Sequence, residues 1–203
     1  MNAARAINHH ADHPGFAGVT GVLCGLVFLL VGRAKAKMAA DIAQVSSSDH
    51  VVDVGCGPGT AARVAARRAA RVTGVDPSST MLRIARLVTP KRAPVTWSEG
   101  TAETLPVADG SATVLWALAT VHHWQDVDEA VAVARRVLAP GGRLIAIERQ
   151  SPDGATGLAS HGWTRQQAEA FGALCRNTGF DDVSVAERGN RRKAVWVVCG
   201  KRR

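Results

Sequence analysis

Residues 51–62 read Val51-Val52-Asp53-Val54-Gly55-Cys56-Gly57-Pro58-Gly59-Thr60-Ala61-Ala62. Three valines in four positions predict a short apolar strand, and alternating glycines then turn the chain. Glycine tolerates left-handed backbone and lets a ligand approach without a Cβ in the way. The alanine-rich stretch after Thr60 favours a helix, whose unpaired first N–H groups complete a ligand cradle. The spacing then selects among ligands. A dinucleotide fingerprint needs G-x-G-x-x-G, but here the glycines are Gly55, Gly57 and Gly59, with Thr60 in the sixth position. Asp53, two residues before the first glycine, repels phosphate and suits a cationic ligand.

Working outward, the stretch Arg71-Val72-Thr73-Gly74-Val75-Asp76 reads as a second strand. Asp76 follows the glycine loop by about 20 residues, where an acid at the end of a parallel strand accepts ribose hydroxyls. Followed by Pro77 and Ser78, it also suits a helix N-cap, and both roles can hold at once. Further strands are expected at 95–97, 111–117 and 143–148, with helices at 60–70, 81–88 and 128–138. Ala139-Pro140-Gly141-Gly142 ends the last of these helices. A final helix, 164–177, starts with Thr164 and Gln167 at capping-box spacing. Two closing strands, 183–186 and 194–199, are joined by a short basic turn and so pair antiparallel. Alternating strands and helices predict an α/β fold: a doubly wound, seven-stranded, mostly parallel sheet with an antiparallel edge strand.

The acid, one residue, then alternating glycines resembles motif I of the class I S-adenosylmethionine methyltransferases. Two further stretches are similar to that family: Gly100-Thr101-Ala102-Glu103 before Leu105-Pro106, and Arg136-Val137-Leu138 followed by Pro140-Gly141-Gly142. The resemblance covers about 45–199. It implies that the methionine part of the donor lies on Asp53 and the backbone of Gly55, Cys56, Gly57 and Gly59, with its ribose on Asp76. The adenine would meet Thr101, where the family pattern has Asp, and Ala102. Leu118 would line the crevice, and Pro77, Met81, Glu103 and Ala117 belong to the same binding set. The run Ala117 to Trp124 ends the fourth strand, so His122 or His123 is placed to take a proton from an acceptor. Packing and capping of the next helix is the competing reading of this pair. The implied reaction is direct methyl transfer to an O, N or C atom.

Residue types narrow the acceptor. After the fourth strand the chain reads Ala117-Leu118-Ala119-Thr120, without the Asn/Asp-Pro-Pro-aromatic run of enzymes that methylate amino groups on bases or glutamine. No Pro-Cys pair offers attack on a pyrimidine. A small, hydrophobic acceptor is expected, as in the ubiquinone/menaquinone methyltransferase-like subgroup. The net charge of +8 keeps an RNA-directed enzyme as the alternative, although the basic residues are dispersed and the chain has no tyrosine for base stacking. Cys24, Cys56, Cys175 and Cys199 form no C-x-x-C pair, and reduced thiols in a cytoplasmic protein are expected.

Residues 1–45 are expected to form an N-terminal helical cap on a methyltransferase domain at 46–203, one compact unit overall. His9, His10 and His13 lack the partner residues of a local metal motif, so no metal is expected. The stretch 16–31 is almost uncharged but shorter than the roughly 20 residues of a spanning helix. It reads as a helix packed over the active-site mouth, as a peripheral membrane contact, or as a processed leader.

Overall fold

β1 (His50–Val54) is buried at all five positions because helices cover both faces of the sheet it belongs to. That explains its run of valines in place of a polar alternation. The structure, a computed structural model, describes residues 7–11, 32–69, 71–190 and 193–203. Seven strands form one sheet among them: β1, β2 (Arg71–Asp76), β3 (Val95–Glu99), β4 (Ala112–Leu118), β5 (Leu138–Arg149), β6 (Phe180–Arg188) and β7 (Val195–Arg202). Their order is β3-β2-β1-β4-β5-β7-β6. The first five pair parallel, while β7 runs antiparallel between β5 and the edge strand β6. The connections diverge between β1 and β4, so the carboxyl ends of these two strands open a switch-point crevice where ligands bind in such folds.

The helices follow from local sequence. α1 (Arg33–Ile42) turns Ala36, Ala39 and Ala40 inward, each fully buried, and this small-residue face packs with α2 (Thr60–Ala65) on one side of the sheet. α3 (Ser79–Val88) flanks β2 and β3. Its N-cap is Ser78, whose hydroxyl accepts the Met81 N–H at 3.3 Å. α4 (Val127–Val137) and α5 (Arg165–Asn177) cover the other face, where Trp163 and Phe171 are wholly buried. The capping box expected at Thr164 is present: its hydroxyl accepts the Gln167 N–H at 3.3 Å, and Gln167 Oε1 accepts the Thr164 N–H at 2.8 Å. Such caps contribute about 1 kcal/mol.

Two boundaries depart most from expectation. α2 stops at Ala65, five residues early, and a turn continues the chain. Pro140-Gly141-Gly142 does not precede β5 but lies inside it, where the register with β4 jumps between Ala112 and Val114. Gly141, at φ +76°, absorbs the irregularity.

Of the expected N-terminal cap, residues 7–11 are a turn that docks on the main body. The Trp163 indole donates to Ile7 O at 3.0 Å, Asn8 donates to Trp124 O at 3.0 Å, and the His10 N–H donates to His122 O at 2.9 Å. His13, Cys24 and the apolar run 16–31 lie outside the described residues. No helix among the described residues is long and apolar enough to cross a membrane.

Candidate active site

The glycine loop leaves β1 with Gly55, Gly57 and Gly59 at φ +65°, +51° and +78°, a left-handed path that side chains resist. Two of the three also lack room for a Cβ. One on Gly59 would stand 2.2 Å from the Trp97 ring, and one on Gly55 would stand 2.1 Å from Thr120 Oγ1. Trp97 therefore backs the loop from β3, while Thr120 packs on it from the segment after β4. The loop is tied to β2 through Cys56 N–H, which donates to Val75 O at 3.0 Å.

Asp76 is buried at the end of β2. Its Oδ2 accepts the Gly57 N–H and its Oδ1 accepts the Ser78 N–H, both at 2.8 Å. Burial raises its pKa, against the pull of these two N–H groups. Asp53 is more deeply placed, 1% exposed. Its Oδ2 has no hydrogen-bond partner, and neither does the buried Trp116 Nε1 on the adjacent strand. Burial pushes the Asp53 carboxyl up to about 7; the Trp116 side chain and Ala62 N–H oppose this, and the Asp76 charge adds to it. Two buried acids and an orphaned carboxylate oxygen make this end of the sheet a good host for a cation.

The structure places the other expected residues unevenly. Met81 and Ala117 are buried, Pro77 is exposed and Leu118 is half-buried at the end of β4. Ala102 is buried, while the Thr101 hydroxyl pairs with that of Thr104 at 3.0 Å. Glu103 is engaged elsewhere. Its Oε1 accepts the N–H groups of Gln125 and Asp126, at 2.9 and 3.1 Å, ahead of α4.

Past β4 the backbone is strained. Ala119 holds φ +58°, a value rare for a residue with a side chain and common at functional sites. Its N–H is paired to Ile147 O at 2.8 Å, which keeps the turn in place. Thr120 then contacts Gly55, and a short 3-10 turn, Val121–His123, follows. The wholly buried Glu148 at the end of β5 anchors that turn. Its Oε1 accepts the Val121 N–H at 2.9 Å, and its Oε2 lies 3.0 Å from His122 Nδ1. Burial raises the Glu148 pKa, but the His122 charge and hydrogen bond, Lys35 and the Val121 N–H together bring it below the usual carboxylate value. An ionised carboxylate only accepts, so Nδ1 of His122 carries a proton, and in the neutral ring the lone pair is on Nε2.

Three more histidines join this pair. His9 and His10 arrive from the N-terminal turn and His161 from the loop after β5. The rings of His10 and His161 stack at 4.1 Å, His122 and His123 lie 4.1 Å apart, and His9 is 4.6 Å from His10. Burial and the neighbouring His122 lower the His123 pKa to about 4, so its ring is neutral at pH 7. A cleft of about 830 Å3 opens beside His9 and His10, walled by residues 151–156 and the start of α5.

Residues 52–146 match the family model described as a methyltransferase domain. The chain is 35% identical over 111 residues to the ubiquinone/menaquinone biosynthesis C-methyltransferase UbiE of Rubrivivax gelatinosus, covering 55% of this chain and 43% of that one. It is 35% identical over 120 residues to the demethylmenaquinone methyltransferase of Tropheryma whipplei strain Twist, covering 59% and 48%. Residues 52–146 are a methyltransferase domain, and their fold is that of the class I S-adenosylmethionine-dependent enzymes. The chain spans about half the length of these curated relatives. The fold agrees: a SAM-dependent methyltransferase from Aquifex aeolicus superposes with a TM-score of 0.74 at 16% identity, covering 88% of this chain and 97% of that one.

The chain has two site residues that sequence reasoning missed. Glu148 was visible as a lone acid closing the apolar run Leu144-Ile145-Ala146-Ile147, a signal of a buried charge with a partner. Trp97 carried no signal, because only the fold lays its ring against Gly59 and Gly74. Burial disfavours the thiolate at the described cysteines, pushing Cys175 up to about 12 and raising Cys56 and Cys199 as well.

Proposed function

We propose that this chain transfers the methyl group of S-adenosylmethionine to a small, largely apolar acceptor bound beside the histidine cluster. The contact between Gly55 and Thr120 carries the reading, since it sets the glycine cradle against the turn that bears His122. The donor supplies a sulfonium methyl already activated for displacement. Asp53, with its unpartnered Oδ2, faces the cationic methionine part, and the Gly55–Gly59 backbone lies along it. Asp76 accepts the ribose hydroxyls, and Thr101, Ala102 and Leu118 border the adenine. Alignment and exclusion of water are then the main tasks of the protein. His122 takes the acceptor proton on Nε2, with Glu148 fixing its tautomer and stabilising the imidazolium. His123, with its lowered pKa, is the weaker base. The curated relatives' quinone-related names favour a hydroxylated aromatic acceptor. They do not favour RNA, and Arg68, Arg136, Arg143 and Arg203 are paired with Asp41, Asp109, Asp49 and Asp181.

The test is donor turnover. Incubation with methyl-labelled S-adenosylmethionine and a panel of small phenols and quinols is expected to release S-adenosylhomocysteine and label the acceptor, with RNA inert. Binding of S-adenosylhomocysteine with no transfer to any small acceptor would overturn the reading.

The raised Asp53 pKa adds a prediction with two opposite signs. A carboxyl at about 7 in the fold and about 3.9 unfolded contributes stability that is complete below pH 4 and lost as pH rises through 7. Above pH 7 the buried charge costs about 4 kcal/mol at most. Asp53→Asn is therefore expected to stabilise the donor-free protein at pH 8 by on the order of 2 kcal/mol, raising Tm by roughly 4–8 °C. The same change is expected to weaken S-adenosylhomocysteine binding about tenfold, by loss of a charge-assisted contact to the amino group. Calorimetric melting and titration at pH 8 read both signs.

A further inference from the structure

We propose that His122, His123 and His161 together bind one divalent transition-metal ion at the mouth of the acceptor crevice. The three rings come from two separate segments, the 3-10 turn after β4 and the loop after β5. Each offers a ring nitrogen, and these nitrogens all lie within 4.8 Å of one another. The ring centroids of His161 stand 5.6 Å from His122 and 5.5 Å from His123.

A second, independent feature points the same way. Metal-bound histidines commonly donate their other ring N–H to a carboxylate, which fixes the tautomer and raises ligand basicity. His122 has this arrangement already, with Nδ1 held 3.0 Å from the wholly buried Glu148, so Nε2 is the ligand atom. Glu148 also supplies the negative charge that a dication needs nearby in a desolvated site.

The donor set selects the ion. Three imidazoles suit zinc, nickel, cobalt or copper, and not magnesium or calcium, which take oxygen ligands. Three protein ligands leave one position open, the pattern of sites that bind a substrate atom and not of closed structural sites. His10 stacks on His161, but its Nε2 is engaged with Ser160 Oγ at 3.0 Å. A tetrahedral ion with bonds of about 2.05 Å sets its nitrogens about 3.3 Å apart. The nitrogens must therefore close by up to about 1.5 Å, and partial exposure leaves His123 and His161 room to do so.

The geometry was hidden in sequence because His123 and His161 are 38 positions apart, too far for a short ligand motif to link them. An ion on Nε2 keeps His122 from taking a proton, so the base role belongs to the ion-free chain and the two uses of His122 alternate. The ion is read without donor or acceptor, so its failure leaves the methyl-transfer reading intact, and the converse.

The experiment uses the full chain without an affinity tag, stripped with a chelator. It is titrated with zinc chloride by calorimetry and with cobalt chloride by visible absorption. One ion per chain is expected, with the strong visible bands of tetrahedral cobalt. His161→Ala and His123→Ala are each expected to weaken zinc at least tenfold, and Glu148→Gln by about 10–100-fold through His122. S-adenosylhomocysteine binding and the melting curve of His161→Ala check that the variant is folded. No saturable zinc binding overturns the proposal, and so does stoichiometric binding that His161→Ala leaves unchanged.

Discussion

Asp76→Ala is expected to lower S-adenosylhomocysteine affinity at least about 100-fold by calorimetry while the protein keeps its circular-dichroism spectrum. A carboxylate that accepts two ribose hydroxyls makes two charge-assisted hydrogen bonds, each contributing about 1.5–3 kcal/mol. Losing both is a loss of 100-fold or more. The side chain also positions the cradle, since Oδ2 holds the Gly57 N–H and Oδ1 the Ser78 N–H. Alanine frees those two N–H groups at about 1–3 kcal/mol each if water does not reach them, so Tm falls as well. Asp76→Asn separates the effects. It keeps one accepting oxygen for the loop, restores most of the Tm, and is expected to lose only about tenfold in affinity. Unchanged affinity in the alanine variant would remove Asp76 from the donor site and with it the assignment of the whole loop.

Glu148→Ala is expected to have the largest effect on stability. It strips the partners from the Val121 N–H and His122 Nδ1, both buried, and leaves a cavity at the end of β5. Breaking such a buried pair from one side costs about 3–5 kcal/mol, or roughly 10 °C in Tm for a chain of this size. Glu148→Gln keeps the volume and one acceptor, so it retains most of the stability. It should still lower kcat by about 100-fold with little change in KM, because His122 loses the charge that stabilises its protonated form.

The pH dependence follows from the same residue. The folded Glu148 pKa lies below its ordinary value. Its contribution is therefore complete above the unfolded pKa, about 4.3, and is lost as pH falls through the folded value. Thermal melts between pH 3 and 7 should show the parent chain losing stability below about pH 4, with a flatter profile in Glu148→Gln. A parallel acid profile in the two proteins would mean that Glu148 is not ionised in the fold.

Local chemistry made the glycine loop and its two acids legible. Val51, Val52 and Val54 are apolar because both faces of β1 are covered, and Gly55 and Gly59 are glycines because Thr120 and Trp97 occupy the space of a Cβ. Asp76 stands at the end of β2 because the alternation of strand and helix brings it there. Each of these reasons acts over a few residues, so each leaves a mark in the order of residues. Glu103 shows the limit of that reading. Its place in a family-like run resembles a binding position, and the fold adds what the run did not show, a carboxylate that accepts from the backbone ahead of α4. The capping box at Thr164 was legible for the same local reason as the glycine loop.

The histidine cluster depends on long-range placement. His10, His122 and His161 are separated by 112 and 39 positions, yet their rings lie within 6 Å of one another. Glu148 reaches His122 across 26 positions because β5 is the parallel neighbour of β4 and its carboxyl end comes level with the turn that follows. The order of residues was enough to specify the sheet, the glycine loop and the two acids beside it, since propensity, periodicity and turn chemistry are short-range. Only the tertiary structure decided that five histidines and one buried glutamate share a site, because pairing β4 with β5 and docking residues 7–11 on Trp124 and Trp163 are contacts between distant segments.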